Sequence, residues 1–218
     1  MSRSAVPSCS ITDLVVVTCV CFGWFILASI QAVLAGFPIR PFTNSSFYSI
    51  IAIEVIFSAT AIAYLRTREF DLSTLIPSPS IAGCLIGGLL YIGSGIASLP
   101  FESLVVVDQA DIQPIEQMVA NSAVALIPLL ALSVVNGLYE EVFLVGYLQR
   151  ALVKYGRLFS VGAVVLVRML YHLYQGPAGA MSVVIFGVIV SAYYLYTRDL
   201  WPVAFAHMTA DFVGFLQA

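Results

Sequence analysis

The sequence predicts an all-α, multi-pass transmembrane helical bundle of about seven spans, and three observations predict it. Hydrophobic residues make up 61% of the 218 positions and charged residues 10%, against about 25% charged residues in an ordinary soluble domain. Apolar stretches close to the roughly 20 residues that cross a bilayer as a helix recur from residue 13 to the C-terminus. Lys and Arg collect in one alternate set of connections. So little charge cannot coat a water-soluble surface, so residues 1–218 read as one membrane-embedded domain.

The spans are expected at about 13–36, 47–65, 80–98, 119–149, 158–175, 178–196 and 200–217. Pro38 and Pro41 break the first connection and Pro77 and Pro79 the second. Pro100 breaks the third, together with an acidic segment holding Glu102, Asp108, Asp111 and Glu116. The third span is rich in glycine (Gly83, Gly87, Gly88, Gly93, Gly95), which permits close helix packing. The fourth is longer than a bilayer requires and is expected to tilt, or to begin with an interfacial turn near Pro114. Gly176, Pro177 and Gly179 mark a tight turn between the fifth and sixth.

With seven spans and a cytoplasmic N-terminus, Arg3, Arg66, Arg68, Arg150, Lys154, Arg157 and Arg198 fall on the cytoplasmic side and Arg40 alone falls outside. One missed or invented helix would scatter these residues over both faces. The first apolar run is longer than the hydrophobic region of a usual signal peptide, so it is expected to remain as a span. No basic tract suits nucleic acid. Cys9, Cys19, Cys21 and Cys84 have no metal or redox spacing and read as apolar filler.

Against this background a few ionisable residues stand out. A charge at the bilayer centre costs about 2.5 to 3.5 kcal/mol on insertion scales, so it normally faces a protein interior or a wet cavity. Glu140, Glu141, Arg168, His172, His207 and Asp211 fall about 10 to 21 Å from the cytoplasmic helix ends, counted at 1.5 Å per residue. Arg168 and His172, and likewise His207 and Asp211, are four apart and share a helix face. Glu140 and Glu141 point about 100° apart, so one can address a cavity while the other reaches a neighbouring helix. Such charges also glue helices together structurally, but two titratable imidazoles beside carboxylates favour a working site. Glu54, a lone carboxylate in the second span, is expected to have a structural or pore-facing role.

The run Glu140-Glu141-Val-Phe-Leu-Val145, then Tyr171-His172, then His207-Met-Thr-Ala-Asp211, resembles the three motifs of the CAAX-processing and bacteriocin-processing intramembrane proteases, which include the type II CAAX prenyl protease. The resemblance lies in the motif-bearing core at 119–218; the N-terminal half is similar only in being transmembrane. Two positions depart from the pattern. Val145 stands where the first motif has arginine, and Arg168 stands where the second has an aromatic residue. We therefore expect Arg168 to supply the missing cation by pairing with Glu141 across helices.

The resemblance implies an endopeptidase acting on a membrane-embedded or lipidated peptide or protein. Glu140 would activate water, His172 would orient that water or share its proton, and His207 would face the oxyanion. Asp211 is expected to accept from the His207 ring and fix its tautomer. This is a glutamic scheme without a cofactor. A zinc scheme would use Glu140, His172 and His207 as ligands, although the spacing differs from His-Glu-x-x-His. Two other functions share the same charges: a small proton- or ion-coupled transporter, and a catalytically silent scaffold or immunity protein of the family. The absence of repeated halves argues against the transporter.

Overall fold

The computed structural model describes residues 10–105 and 113–216. Arg3, Cys9, Asp108 and Asp111 lie outside the described residues. Ser10 and Thr43 open the first two helices, α1 (Ile11–Leu34) and α2 (Asn44–Thr67), each through a reciprocal capping box, with Asp13 and Ser46 respectively. α3 (Ile81–Val105) carries Pro100 inside its last turns. A short α4 (Pro114–Ala120) precedes α5 (Leu126–Glu141). The same rod continues as a π-helical stretch, Val142–Gln149, and a three-residue α6 (Arg150–Leu152). Then follow α7 (Arg157–His172), α8 (Gly176–Thr197) and α9 (Trp201–Leu216).

Among the described residues, seven long helices thus occupy the seven expected spans. Five stretches are long and apolar enough to cross a membrane by length and composition: Ile11–Leu34, Asn44–Thr67, Ile81–Phe101, Leu126–Tyr155 and Arg157–Thr197. The last of these holds two helices, because Gly176 adopts φ +87 after the turn Leu173–Gln175 and reverses the chain where the Gly-Pro signal predicted it. α9 has 16 residues, about 24 Å of helix, which is shorter than a bilayer core of about 30 Å.

The fourth span begins at Leu126 rather than near 119. Residues 121–125 are pinned to the start of α2 instead of continuing the helix. Ser122 Oγ accepts from the Phe42 amide at 2.7 Å, and Asn44 Oδ1 accepts from the Ala125 amide at 2.9 Å. Asn and Ser side chains compete with helical backbone bonding in this way.

α9 packs against both α3 and α5. Small residues allow the close approach. A Cβ at Gly87 would lie 2.6 Å from the Pro202 carbonyl oxygen, and one at Gly137 would lie 2.7 Å from Met208 Cγ and 2.9 Å from the Met208 amide nitrogen. The outward faces stay apolar and open, with Ile81, Leu85 and Leu89 exposed along α3 and Leu158 on α7, as lipid contact requires. Gly137→Ala is expected to destabilise the protein by about 1 to 3 kcal/mol, because backbone as well as side chain must yield. The check is the unfolding midpoint in detergent.

Candidate active site

Three helices of the bundle meet around Glu141. This carboxylate is fully buried and accepts from Arg168 Nη2 on α7 at 2.6 Å. It also accepts from His207 Nδ1 on α9 at 2.6 Å. Since an ionised carboxylate only accepts, the His207 proton in this contact sits on Nδ1. The expected Arg168–Glu141 ion pair is therefore present, with both side chains out of solvent. Glu141 Oε2 and Arg168 Nε have no hydrogen-bond partner, so the pair is joined through one oxygen. The arginine lies over the Phe186 ring, 5.4 Å from its centre, and α8 admits it at Gly187, where a Cβ would sit 3.2 Å from Arg168 Cδ.

Glu140 turns to the other side of α5. Its Oε2 accepts from the Tyr171 hydroxyl and lies 3.7 Å from His207 Nε2. The same nitrogen is 3.7 Å from Asp211 Oδ1 and 3.5 Å from the Asn136 amide nitrogen. Asn136 Nδ2 donates to Asp211 Oδ2 at 2.8 Å. The expectation that Asp211 holds the His207 ring is therefore corrected. Glu141 holds the ring through Nδ1, while Asp211 stands beyond hydrogen-bond distance on the Nε2 side and is itself held by Asn136. The helical spacing of His207 and Asp211 put both on one face, but the register between α5 and α9 brought Glu141 closer to the ring.

His172 directs Nδ1 to the Arg168 carbonyl oxygen at 3.0 Å. Among the described residues no hydrogen bond engages its Nε2. Two cavities meet at this imidazole. The larger, about 510 Å³, runs between α3, α8 and α9 and is lined by Ser94, Ser98, Arg168, His172, His207 and Asp211 among others. The smaller, about 270 Å³, is lined by Glu54, Asn136, Glu140, His172 and Asp211 with many aromatic rings. The six residues do not ring one pocket. Arg168 and His207 face one cavity, Glu140 the other, and His172 and Asp211 stand in the shared wall; Glu141 lines neither. Among the described residues no three His, Cys, Asp or Glu side chains form a metal-holding group.

Asn136 escaped the sequence reading, and Tyr171 was quoted in the second motif without a role. Both had a signal: Asn136 is four residues before Glu140 on the same helix face, and Tyr171 directly precedes His172. Glu54, set apart on sequence grounds, is buried and lines the Glu140 cavity. The π-helical stretch that begins at Val142 was also unread. π-helical turns inside α-helices recur at functional sites, and this one begins at the residue after the paired glutamates. Val145, at the motif position of arginine, is fully buried in the apolar core. The cation that pairs with Glu141 comes instead from Arg168 on α7.

Comparison with curated proteins gives no match, and comparison with solved structures gives none. Residues 122–213 match the family model described as type II CAAX prenyl endopeptidase Rce1-like. The matched stretch starts just before α5 and ends within α9, so it contains all six candidate residues together with Asn136 and Tyr171, and leaves out α1 to α3. Over that segment, less than half of the chain, the protein is similar to the type II CAAX prenyl endopeptidases.

Proposed function

We propose that the protein is a glutamic intramembrane endopeptidase that cleaves a membrane-associated peptide or protein, with Glu140 as the base that activates water. The observation that carries this reading is the division of labour between the adjacent glutamates. Glu141 is committed to Arg168 and His207 through one oxygen and lines neither cavity, whereas Glu140 opens on a cavity beside His172 and lies 3.7 Å from His207 Nε2. A water between Glu140 and His172 Nε2 would lose its proton to the carboxylate as its oxygen attacks the scissile carbonyl. Glu140 would then pass that proton to the leaving amine.

His207 is oriented by Glu141 at Nδ1, and a proton on Nε2 would make that nitrogen the donor to the oxyanion. Asn136, 3.5 Å from the same nitrogen, adds an amide donor from α5. Where the third motif of the family carries Asn or Asp, this chain has Asp211 and supplies the amide from another helix. Arg168 takes the charge role vacated at Val145.

The test of mechanism is peptide hydrolysis by detergent-purified protein alongside its zinc content. Hydrolysis without stoichiometric zinc, unchanged by phenanthroline, is expected. Activity that tracks bound zinc would replace the glutamic scheme with the metal one.

The charge asymmetry supports a cytoplasmic N-terminus. Arg66, Arg68, Arg150, Lys154, Arg157 and Arg198 all lie at one end of the bundle and Arg40 at the other, among the described residues. Both cavities approach the Arg40 end, where α1, α3, α7 and α9 finish. Thiol labelling in intact cells of single cysteines placed at Arg40 and Arg198, in a cysteine-free background, is expected to mark the former only.

A further inference from the structure

Glu54 of α2 is 2% exposed, and its Oε2 is buried with no hydrogen-bond partner. It lines the smaller cavity with Glu140 and Asp211. The other two carboxylates are each held by a donor, Tyr171 for Glu140 and Asn136 for Asp211; Glu54 has none among the described residues. No Lys or Arg lines this cavity. Arg168 and His207 face the opposite one. The rest of its wall is largely aromatic, including Phe22, Phe47 and Tyr174.

A buried, unpaired carboxylate is costly and persists where something pairs with it. Aromatic faces present negative charge to whatever enters and attract cations. At about 270 Å³ the cavity falls below the usual range of about 300 to 1,000 Å³ for small-molecule pockets, which fits one side chain rather than a length of peptide. It adjoins Glu140, so a group held there lies next to the bond being cut.

Resting on the endopeptidase reading above, we infer that this cavity is a recognition subsite for a basic side chain of the substrate adjacent to the scissile bond, with Glu54 as its counter-ion. Three matched peptides carrying Lys, norleucine or Glu at the residues flanking the cleaved bond test it on the reconstituted full-length protein. The wild type is expected to favour Lys over norleucine by about tenfold in kcat/KM, with Glu slowest. Glu54→Gln is expected to bring the Lys-to-norleucine ratio close to one. Equal rates in the wild type, or a Lys preference that survives in Glu54→Gln, overturn the subsite while leaving the protease standing.

If the wild type cuts none of the peptides, the endopeptidase reading is what fails, and a binding arm decides the subsite separately. Saturation-transfer NMR is expected to show n-butylammonium binding in preference to n-butanol, with that preference lost in Glu54→Gln. Equal signals overturn the inference. Should Glu54→Gln not fold, Glu54→Asp, which retracts the charge by one methylene, is expected to weaken both preferences several-fold, and unchanged preferences overturn it.

Discussion

Glu140→Gln is expected to lower peptide hydrolysis by about 10²- to 10⁴-fold while leaving the unfolding midpoint close to that of the wild type. Glutamine keeps the volume of the side chain, and its carbonyl oxygen can still accept from the Tyr171 hydroxyl that now holds Glu140. Its amide cannot take a proton from water. The neighbouring Glu141→Gln makes the contrast that identifies the base. Glu141 is fully buried and serves both Arg168 and His207, so neutralising it strands a buried guanidinium and is expected to lower stability as well as rate. Rates on a fluorogenic peptide and unfolding midpoints, measured on both variants, give the answer. Wild-type hydrolysis by Glu140→Gln would remove this carboxylate from the chemistry.

The second large effect is expected at Arg168. Arg168→Ala leaves Glu141 as an uncompensated charge in a dry core, a change that typically costs about 3 to 5 kcal/mol, and it loosens the His207 ring that Glu141 holds. A marked drop in unfolding midpoint and loss of hydrolysis should appear together. Arg168→Lys is expected to rescue little, since the planar guanidinium reaches Glu141 while lying over Phe186, a geometry a point charge does not reproduce. Combining Arg168→Met with Glu141→Gln removes both charges, and the double variant should be more stable than the sum of the single losses predicts. It should remain inactive, because His207 then lacks its carboxylate. Full activity in folded Arg168→Ala would end the idea that this residue stands in for the arginine absent at Val145.

Hydropathy carried most of the fold. Breaks at Pro38, Pro77 and Gly176 were legible because proline and glycine act locally, whatever surrounds them. The start of α5 was misplaced because nothing local says that Ser122 and Asn44 will tie residues 121–125 to α2. Within the site, the depth of the charges and the spacing of four within α7 and α9 pointed to six residues that α5, α7 and α9 carry into one region of the bundle. Asn136 was passed over and Tyr171 was given no role, because a neutral polar side chain in a helix draws attention only once a carboxylate is found beside it.

The sequence by itself determined that this chain enters a membrane as a set of long helices, which of its residues carry charge into that apolar environment, and that Glu140 and Glu141 must face different ways. Those properties follow from composition, from the 100° turn between successive helical residues and from the cost of burying charge. Only the tertiary structure decided that Glu141 rather than Asp211 holds His207, that Asn136 serves Asp211, and that Glu54 stands without a donor beside Glu140. Each of these depends on how far one helix slides and rotates against another. That register is set by close contacts such as Gly137 on Met208 and Gly187 on Arg168, between residues far apart in the chain.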